Sequence, residues 1–227
     1  MARLEELFST VAPPESVAAV FVEPIQGEGG YLVPPDDFLP RLRELTGKHG
    51  ILLVADEVQS GMGRTGHLLA VEHWDVEPDI VCLAKGIASG LPLGAFVARA
   101  EQMSWPPGSH GSTFGGNPLA CAAGLVTLDL LEEGLMDNAA KVGAQLQDGL
   151  REIAATHREI TDVRGLGLMV AFELKTADQA AQVVQSAFER GLLLLTAGSR
   201  AVRICPPLVI DSDEAATGLE IIEAALG

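Results

Sequence analysis

The chain has 227 residues, enough for one large domain or two modest ones with a buried core. It carries 15 basic against 31 acidic residues, a net charge of −16, which argues against nucleic acid or an anionic membrane as a partner. Its apolar runs are only strand-length, its three cysteines are isolated, and its five histidines show no metal-ligand spacing, so no membrane span, disulfide framework or metal site is predicted. The first residues lack the apolar core of a signal peptide, and we expect a cytoplasmic protein.

The first half of the chain predicts strands alternating with turns and a helix. Residues 36–49 predict a helix that Asp36 or Asp37 caps and Gly50 ends. Its apolar stripe consists of Phe38, Leu39, Leu42 and Leu45. The predicted buried strands are residues 18–23, 51–55, 80–84 and 94–98.

The second half begins with two long helical patterns and continues as a shorter α/β alternation. We place a change of domain within the helix that begins near Pro118. The predicted helices are residues 117–133, 138–157, 178–190 and 212–226, and the predicted strands are 168–174 and 202–205. Strands and helices in alternation indicate an α/β fold with a mostly parallel sheet.

Two neighbouring apolar strands end in unlike charged residues, Asp56 and Lys85. If the strands are parallel, both side chains leave the sheet at the edge where such folds bind ligands. Each residue alone is an ordinary strand-end charge. Together they match the needs of pyridoxal phosphate (PLP), in which a lysine amine binds the cofactor aldehyde and a carboxylate keeps the pyridine nitrogen protonated.

Asp56 and Glu57 are adjacent carboxylates, but neighbours on an extended strand point to opposite faces, so they do not predict an acid/base pair. Asp56 and Val58 share a face. The glycines of residues 61–66 match GxGxxG, a pattern of dinucleotide sites. Four residues separate that pattern from the strand, and the next strand ends in a lysine rather than a carboxylate, which disfavours NAD binding.

Six blocks in order resemble the signature blocks of class III aminotransferases, the family of the 4-aminobutyrate, ornithine and acetylornithine enzymes. They are spread over residues 22–210, nearly the whole chain, and six long blocks in order are far more specific than one motif. The blocks are residues 22–30 (VEPIQGEGG), 52–66 (LLVADEVQSGMGRTG), 78–95 (PDIVCLAKGIASGLPLGA), 112–124 (STFGGNPLACAAG), 162–174 (DVRGLGLMVAFEL) and 202–210 (VRICPPLVI).

The resemblance implies PLP as cofactor and assigns roles to several residues. Lys85 matches the lysine that binds the cofactor and moves the substrate proton, and Asp56 matches the carboxylate at the ring nitrogen. Val58 matches the aliphatic residue on one ring face, and Gln59 the amide near the ring hydroxyl. Thr113 matches a threonine that reaches the cofactor phosphate of the neighbouring subunit, although a plain loop residue is the alternative.

Two further residues match substrate-binding positions of the family. Arg203 matches the arginine that receives the substrate α-carboxylate, and Glu28 the glutamate that neutralises this arginine in the other half-reaction. A surface charge is the alternative for Arg203, and a solvent-exposed turn is the alternative for Glu28, which lies among glycines.

The resemblance implies the PLP-dependent transferase fold of type I: the second half of a mostly parallel-sheet large domain at 1–120 and an α/β small domain at 121–227. The family's phosphate-binding loop and ring-stacking aromatic residue precede residues 22–30 and have no counterpart here. We therefore expect the chain alone to bind PLP poorly and to act as a homodimer or with a partner chain that supplies the missing half.

The predicted function is transfer of an amino group between an amino acid or ω-amine and a 2-oxo acid. Racemisation or decarboxylation on the same scaffold stays open, because these residues do not fix the substrate orientation. An inactive fragment that needs a partner chain is the non-enzymatic alternative.

Overall fold

The computed structural model describes all of residues 1–227, and their packing divides the chain into two units. The first unit comprises Met1–Pro24, Pro34–Met62 and Leu69–Leu130. The second unit comprises Ile25–Val33, Gly63–Leu68 and Leu131–Gly227. Two short segments from the first half of the sequence therefore pack with the second half. The domain boundary predicted at residue 120 concerns the complete protein and stays a prediction.

The first unit is built on one four-stranded sheet. Its elements are α1 (Ala2–Thr10), β1 (Ala19–Val22), α2 (Phe38–His49), β2 (Leu52–Asp56), β3 (Ile80–Leu83), β4 (Ala95–Ala98) and α3 (Pro118–Leu130). The strand order is β1-β2-β3-β4, with the first two pairings parallel and the last antiparallel. All four predicted strands are confirmed within one or two residues, and so is the parallel pairing that the argument on Asp56 and Lys85 requires.

Helix α2 covers one face of this sheet. Leu39 and Leu42 pack with Leu53 of β2 in a buried cluster, as the predicted stripe requires. Gly50 ends the helix with a left-handed φ of 66°, which glycine adopts at little cost. The predicted aspartate cap is wrong: the backbone of Asp37 is already helical, and its carboxylate accepts from Arg41 instead.

The first unit leaves an apolar strand and an apolar helix face exposed. Strand β4 pairs only with β3, and its Phe96 and Val97 are 38% and 58% exposed. Helix α3 buries a narrow stripe that includes Ala120 and Gly124, while Leu125 is 65% exposed. Edge strands without charge or proline readily pair with further strands, so β4 offers a ready place for sheet extension.

The second unit packs its helices on another four-stranded sheet. Its elements are α4 (Met136–Thr156), β5 (Ile160–Leu166), β6 (Met169–Leu174), α5 (Ala177–Glu189), β7 (Leu195–Ala197), β8 (Ala201–Ile204) and α6 (Ser212–Leu226). The strand order is β5-β6-β8-β7, and every pairing is antiparallel. The four predicted helices and two predicted strands of the second half are present, with helix 117–133 ending at Leu130; β5 and β7 were not predicted.

Close backbone approach inside the second unit depends on two glycines. A Cβ atom at Gly143 of α4 would collide with the backbone of Gly167 in the β5–β6 turn. Gly167 itself has a φ of +53°, which disfavours a side chain there. Among residues 1–227, no helix combines the length and the apolarity that crossing a membrane requires.

Candidate active site

Asp56 and Lys85 lie at the carboxyl ends of adjacent parallel strands. Asp56 is the last residue of β2 and stands opposite Cys82 of β3. Lys85 follows two residues after β3 ends and is exposed to solvent. The sheet thus brings the carboxylate and the amine to the same edge, where open α/β sheets bind ligands.

The backbone at Lys85 is unusual for a residue with a side chain. Its φ of 48° lies in the left-handed region, where few residues other than glycine are found. It begins a short 3₁₀ helix (Lys85–Ala88), in which Ile87 N–H donates to the carbonyl of Ala84. Strained backbone of this kind is concentrated at functional sites, where the surrounding fold holds it in place.

A tight turn after β2 carries two further residues that are predicted to bind the cofactor, Val58 and Gln59. The N–H of Val58 donates to Asp56 Oδ1 at 3.1 Å, which fixes the orientation of the carboxylate. Val58 and Gln59 are both half-buried. Burial raises the pKa of the neighbouring Cys82 thiol, and the charge of Asp56 raises it further. A half-buried carboxylate and an exposed amine at the same sheet edge suit a cationic ring nitrogen and an aldehyde.

Glu57 has a structural role that the sequence reasoning missed. It is fully buried on the face opposite Asp56. Its carboxylate accepts hydrogen bonds from Ser60 Oγ at 2.5 Å, from the N–H of Val71 at 2.9 Å and from the N–H of Ala70. Burial raises the pKa of Glu57, and this effect is larger than that of the hydrogen bonds, which lower it. Glu57 therefore ties the turn that carries Gln59 to the chain 14 residues further on.

We expect Glu57→Ala to destabilise the first unit strongly, because two buried N–H groups lose their acceptor at roughly 1–3 kcal/mol each. Glu57→Gln should retain most of the stability, since its amide can still accept from one side and donate to Ser60. Urea denaturation followed by circular dichroism measures both variants. Equal stability of Glu57→Ala and the parent chain would contradict the role of Glu57.

The raised pKa of Glu57 also predicts a pH dependence. Folding favours the protonated form, so this contribution to stability is fully present below the usual value of 4.5 and is lost as the pH rises through the folded-state pKa. Glu57→Gln cannot ionise and lacks this loss. The same urea titrations, repeated from acid to neutral pH, should therefore show the parent chain losing stability relative to Glu57→Gln.

Thr113 lies exposed in the loop before α3. Asn117 immediately precedes α3 and caps it, because its Oδ1 accepts from the N–H groups of Leu119 and Ala120 at 2.9 and 3.3 Å. Asn117 therefore has a structural role at the start of α3. Thr113 keeps its side chain available to solvent, and its predicted role at a cofactor phosphate stays a prediction.

Within the second unit, Glu28 and Arg203 form an ion pair across 175 positions of sequence. Arg203 Nη1 donates to Glu28 Oε1 at 2.5 Å. The arginine side chain is 16% exposed and the glutamate side chain 73% exposed. Burial lowers the pKa of Arg203, but the hydrogen bond and charge of Glu28, together with Tyr31, raise it overall. The two residues that the resemblance selected are thus brought together.

Arg203 also has an unused donor. Its Nε atom is buried and has no hydrogen-bond partner, which is uncommon for a charged group. Glu28 covers the guanidinium from the solvent side. Because the Glu28 carboxylate is exposed, it can leave Arg203, and another carboxylate can then bind the guanidinium.

The glycine-rich residues 61–66 do not open an α-helix; they continue through turns to a short 3₁₀ helix at Ala70–Trp74. A dinucleotide fingerprint needs a helix N-terminus for the pyrophosphate. Within the second unit, Arg64 of this segment donates to the carbonyl of Pro206 at 2.6 Å. The segment is a packing element, and the alternative of NAD binding loses its structural basis.

Comparison with known proteins identifies the family. Residues 1–226 match the family model described as aminotransferase class-III. The chain therefore belongs to the class III aminotransferase family. It is 45% identical over 234 residues to the 4-aminobutyrate aminotransferase GabT of Escherichia coli (strain K12), covering 98% of this chain and 55% of that protein. It is 47% identical over 216 residues to the acetylornithine aminotransferase of Synechocystis sp. (strain PCC 6803), covering 92% and 50%.

Solved structures confirm the fold. An amine transaminase from an uncultivated Pseudomonas species, solved in its PLP-bound internal aldimine form, superposes with a TM-score of 0.92 at 40% identity, covering 99% of this chain and 55% of that one. The ornithine aminotransferase of Toxoplasma gondii gives 0.92 at 42% identity, covering 99% and 54%. The chain spans about half the length of the relatives it matches.

Proposed function

We propose that this chain is the part of a PLP-dependent aminotransferase that carries the cofactor lysine, and that the complete enzyme transfers an amino group between an amino acid or ω-amine and a 2-oxo acid. The observation that carries the proposal is the pairing of Asp56 and Lys85 at one edge of a parallel sheet in a class III chain. The left-handed backbone of Lys85 supports it.

The residues at this edge fit the cofactor. Bound PLP supplies an electron sink for the substrate Cα–H bond. Lys85 would hold the cofactor through its aldehyde, and the lysine amine would carry the proton to and from the substrate carbon. Asp56 would keep the pyridine nitrogen protonated, Val58 would pack on a ring face, and Gln59 would bind at the ring hydroxyl. In a homodimer, Thr113 would bind the cofactor phosphate of the second subunit.

Glu28 and Arg203 select between two kinds of substrate. With an ω-amine bound, no α-carboxylate is available and Glu28 neutralises Arg203; the hydrogen bond between the two side chains supports this role. With an α-amino or 2-oxo acid, Glu28 swings away and the guanidinium binds the α-carboxylate in a bidentate manner. An exposed glutamate on a half-buried arginine makes the exchange possible without leaving an unpaired charge inside the protein.

The complete site needs polypeptide beyond these residues. Proteins commonly hold phosphate with N–H groups at a helix N-terminus after a loop of small residues, and no such loop follows a strand near Lys85 here. The part of the relatives that this chain does not cover supplies it, on the same or another polypeptide, and a homodimer is the expected assembly. A cytoplasmic location stays a prediction.

A spectroscopic PLP titration tests the proposal. The 227-residue chain alone should bind PLP slowly and weakly, because Lys85 lacks a phosphate cradle. Mixed or fused with the uncovered part of a class III aminotransferase, it should bind stoichiometrically and turn over only when both an amino donor and a 2-oxo acid are present. Lys85→Ala is the matched control.

Two outcomes would contradict the proposal. Turnover of one enantiomer into the other without any 2-oxo acid would show a racemase. Tight binding and turnover by the lone chain would show a phosphate site that the present residues do not reveal.

A further inference from the structure

The backbone around Glu28 is fixed although its side chain is exposed. The N–H groups of Gly30 and Tyr31 both donate to the carbonyl of Gly27, closing a turn. The carbonyl of Glu28 accepts from the N–H of Gly198 at 2.8 Å. The carbonyl of Gly30 accepts two hydrogen bonds from one guanidinium, that of Arg164, at 3.0 Å from Nε and 2.7 Å from Nη2.

Arg164 is itself held in place by carboxylates. Its Nη1 donates to Asp162 Oδ2 at 2.6 Å and to Glu173 Oε2 at 2.8 Å, and its side chain is only 14% exposed. Glu173 also accepts from Arg200 Nε at 2.7 Å. Burial alone raises the pKa of Glu173, but the hydrogen bonds and charges of the two arginines lower it overall. The planar guanidinium therefore has one side on the carboxylates and the other on the carbonyl of Gly30.

Tyr31 shows why the segment needs such support. Its φ of 55° is left-handed, and its side chain is 1% exposed. Its hydroxyl interacts with the Cys205 thiol and with Arg203. A buried aromatic residue in this backbone region is strained and persists only where surrounding contacts fix it. The hydrogen bonds from Arg164 to the carbonyl of Gly30 and from Gly198 to the carbonyl of Glu28 fix the backbone one and three residues before Tyr31.

We propose that Arg164 is a positioning residue for the Glu28–Arg203 pair: it holds the backbone of residues 28–30 so that the Glu28 carboxylate leaves and rejoins Arg203 by rotation of its side chain alone. We call the contact of Arg164 with Gly30 the clamp. Only its consequence for catalysis rests on the proposed function. The guanidinium of Arg164 contacts the carbonyl of Gly30 through two nitrogen atoms of one planar group. A lysine cannot replace it fully, since it lacks the planar fork.

The test compares two arginines that share Glu173. Arg164→Gln removes the contact with Gly30, whereas Arg200→Gln removes a partner of Glu173 and leaves Gly30 untouched. Hydrogen exchange of the 227-residue chain is followed in peptides that cover residues 25–33 and 195–200. Exchange at the Gly198 amide and in residues 28–31 should accelerate roughly tenfold or more in Arg164→Gln, the size expected for losing charged hydrogen bonds. In Arg200→Gln it should stay close to that of the parent chain.

A spectroscopic readout separates positioning from general stability. The Nε–H signal of Arg203 in a ¹⁵N NMR spectrum reports its buried environment. It should broaden or shift in Arg164→Gln and stay unchanged in Arg200→Gln. Arg164→Lys, which keeps the ion pairs, should give an intermediate result, and it replaces Arg164→Gln if that variant fails to fold.

The proposal is overturned if the Arg164 variants leave exchange and the Arg203 signal unchanged, or if Arg200→Gln alters both equally.

The catalytic role of the Glu28–Arg203 pair has a separate test. In the assembled enzyme, Glu28→Ala should impair the ω-amine half-reaction more than the α-amino one. Equal losses there would remove the exchange of partners from the mechanism, while the clamp would stand on the exchange data.

Discussion

Asp56→Asn should lower the turnover of the assembled enzyme by roughly 10²–10³-fold while leaving PLP binding close to normal, a size typical of removing one electrostatic contact to the reacting group. An amide is neutral and cannot hold the pyridine nitrogen in its protonated form, so the electron sink weakens. The shape of the side chain barely changes, and its hydrogen bond from the N–H of Val58 can persist.

Single-turnover half-reactions and a PLP titration measure the two parts of this expectation. Asp36→Asn is the matched control, because Asp36 is an exposed aspartate before α2 and should show neither effect. Near-full turnover of Asp56→Asn would show that another group holds the ring nitrogen.

Lys85→Ala should abolish covalent attachment of PLP and lower turnover on the order of 10³-fold or more, as loss of a covalent catalytic residue does. Lys85 is exposed at the carboxyl end of the sheet and held in a strained backbone conformation. In the assembled enzyme, borohydride reduction followed by peptide mapping locates the attachment.

The remaining lysines provide the internal comparison. Lys48 lies near the end of α2, Lys141 on α4 and Lys175 after β6, and all three are exposed. Labelling of any of them in place of Lys85, at stoichiometric level, would end the assignment. Surface lysines react with PLP reversibly, so low-level labelling is expected at high cofactor concentration. Its dependence on the PLP concentration distinguishes it from attachment at Lys85.

The parts of the fold that the sequence predicts are those with strong local signals. The strands of the first unit are apolar runs closed by a charged residue, and α2 has both a leucine stripe and Gly50 as its end. Strand β5 has the sequence ITDVRGL, whose polar residues conceal its pairing, and β7 has only three residues. Strands β5 and β7 form by pairing with the neighbouring strands β6 and β8. A local sequence pattern does not reveal such pairing.

The residues of the candidate site were likewise predictable only in part. Asp56 and Lys85 follow from strand ends and parallel pairing. Glu28 and Arg203 are 175 positions apart, and only the family resemblance connected them before the structure showed their contact. Glu57 was judged only as a possible partner of Asp56. Its position on the buried face was predictable from strand alternation, but its acceptor role toward Val71 depends on how the following turns close.

The discontinuous second unit has a consequence for the order of events during translation. The turn that carries Glu28 emerges from the ribosome long before Arg203, 175 positions later. At about 5–20 residues per second, the interval is roughly 9–35 s. During this time the segment Ile25–Val33, with the strained Tyr31, has none of its partners from β5 or β8. Slow codons or mutations late in the chain should therefore leave this early segment unprotected and accessible to proteases, although it lies far from the altered position in sequence.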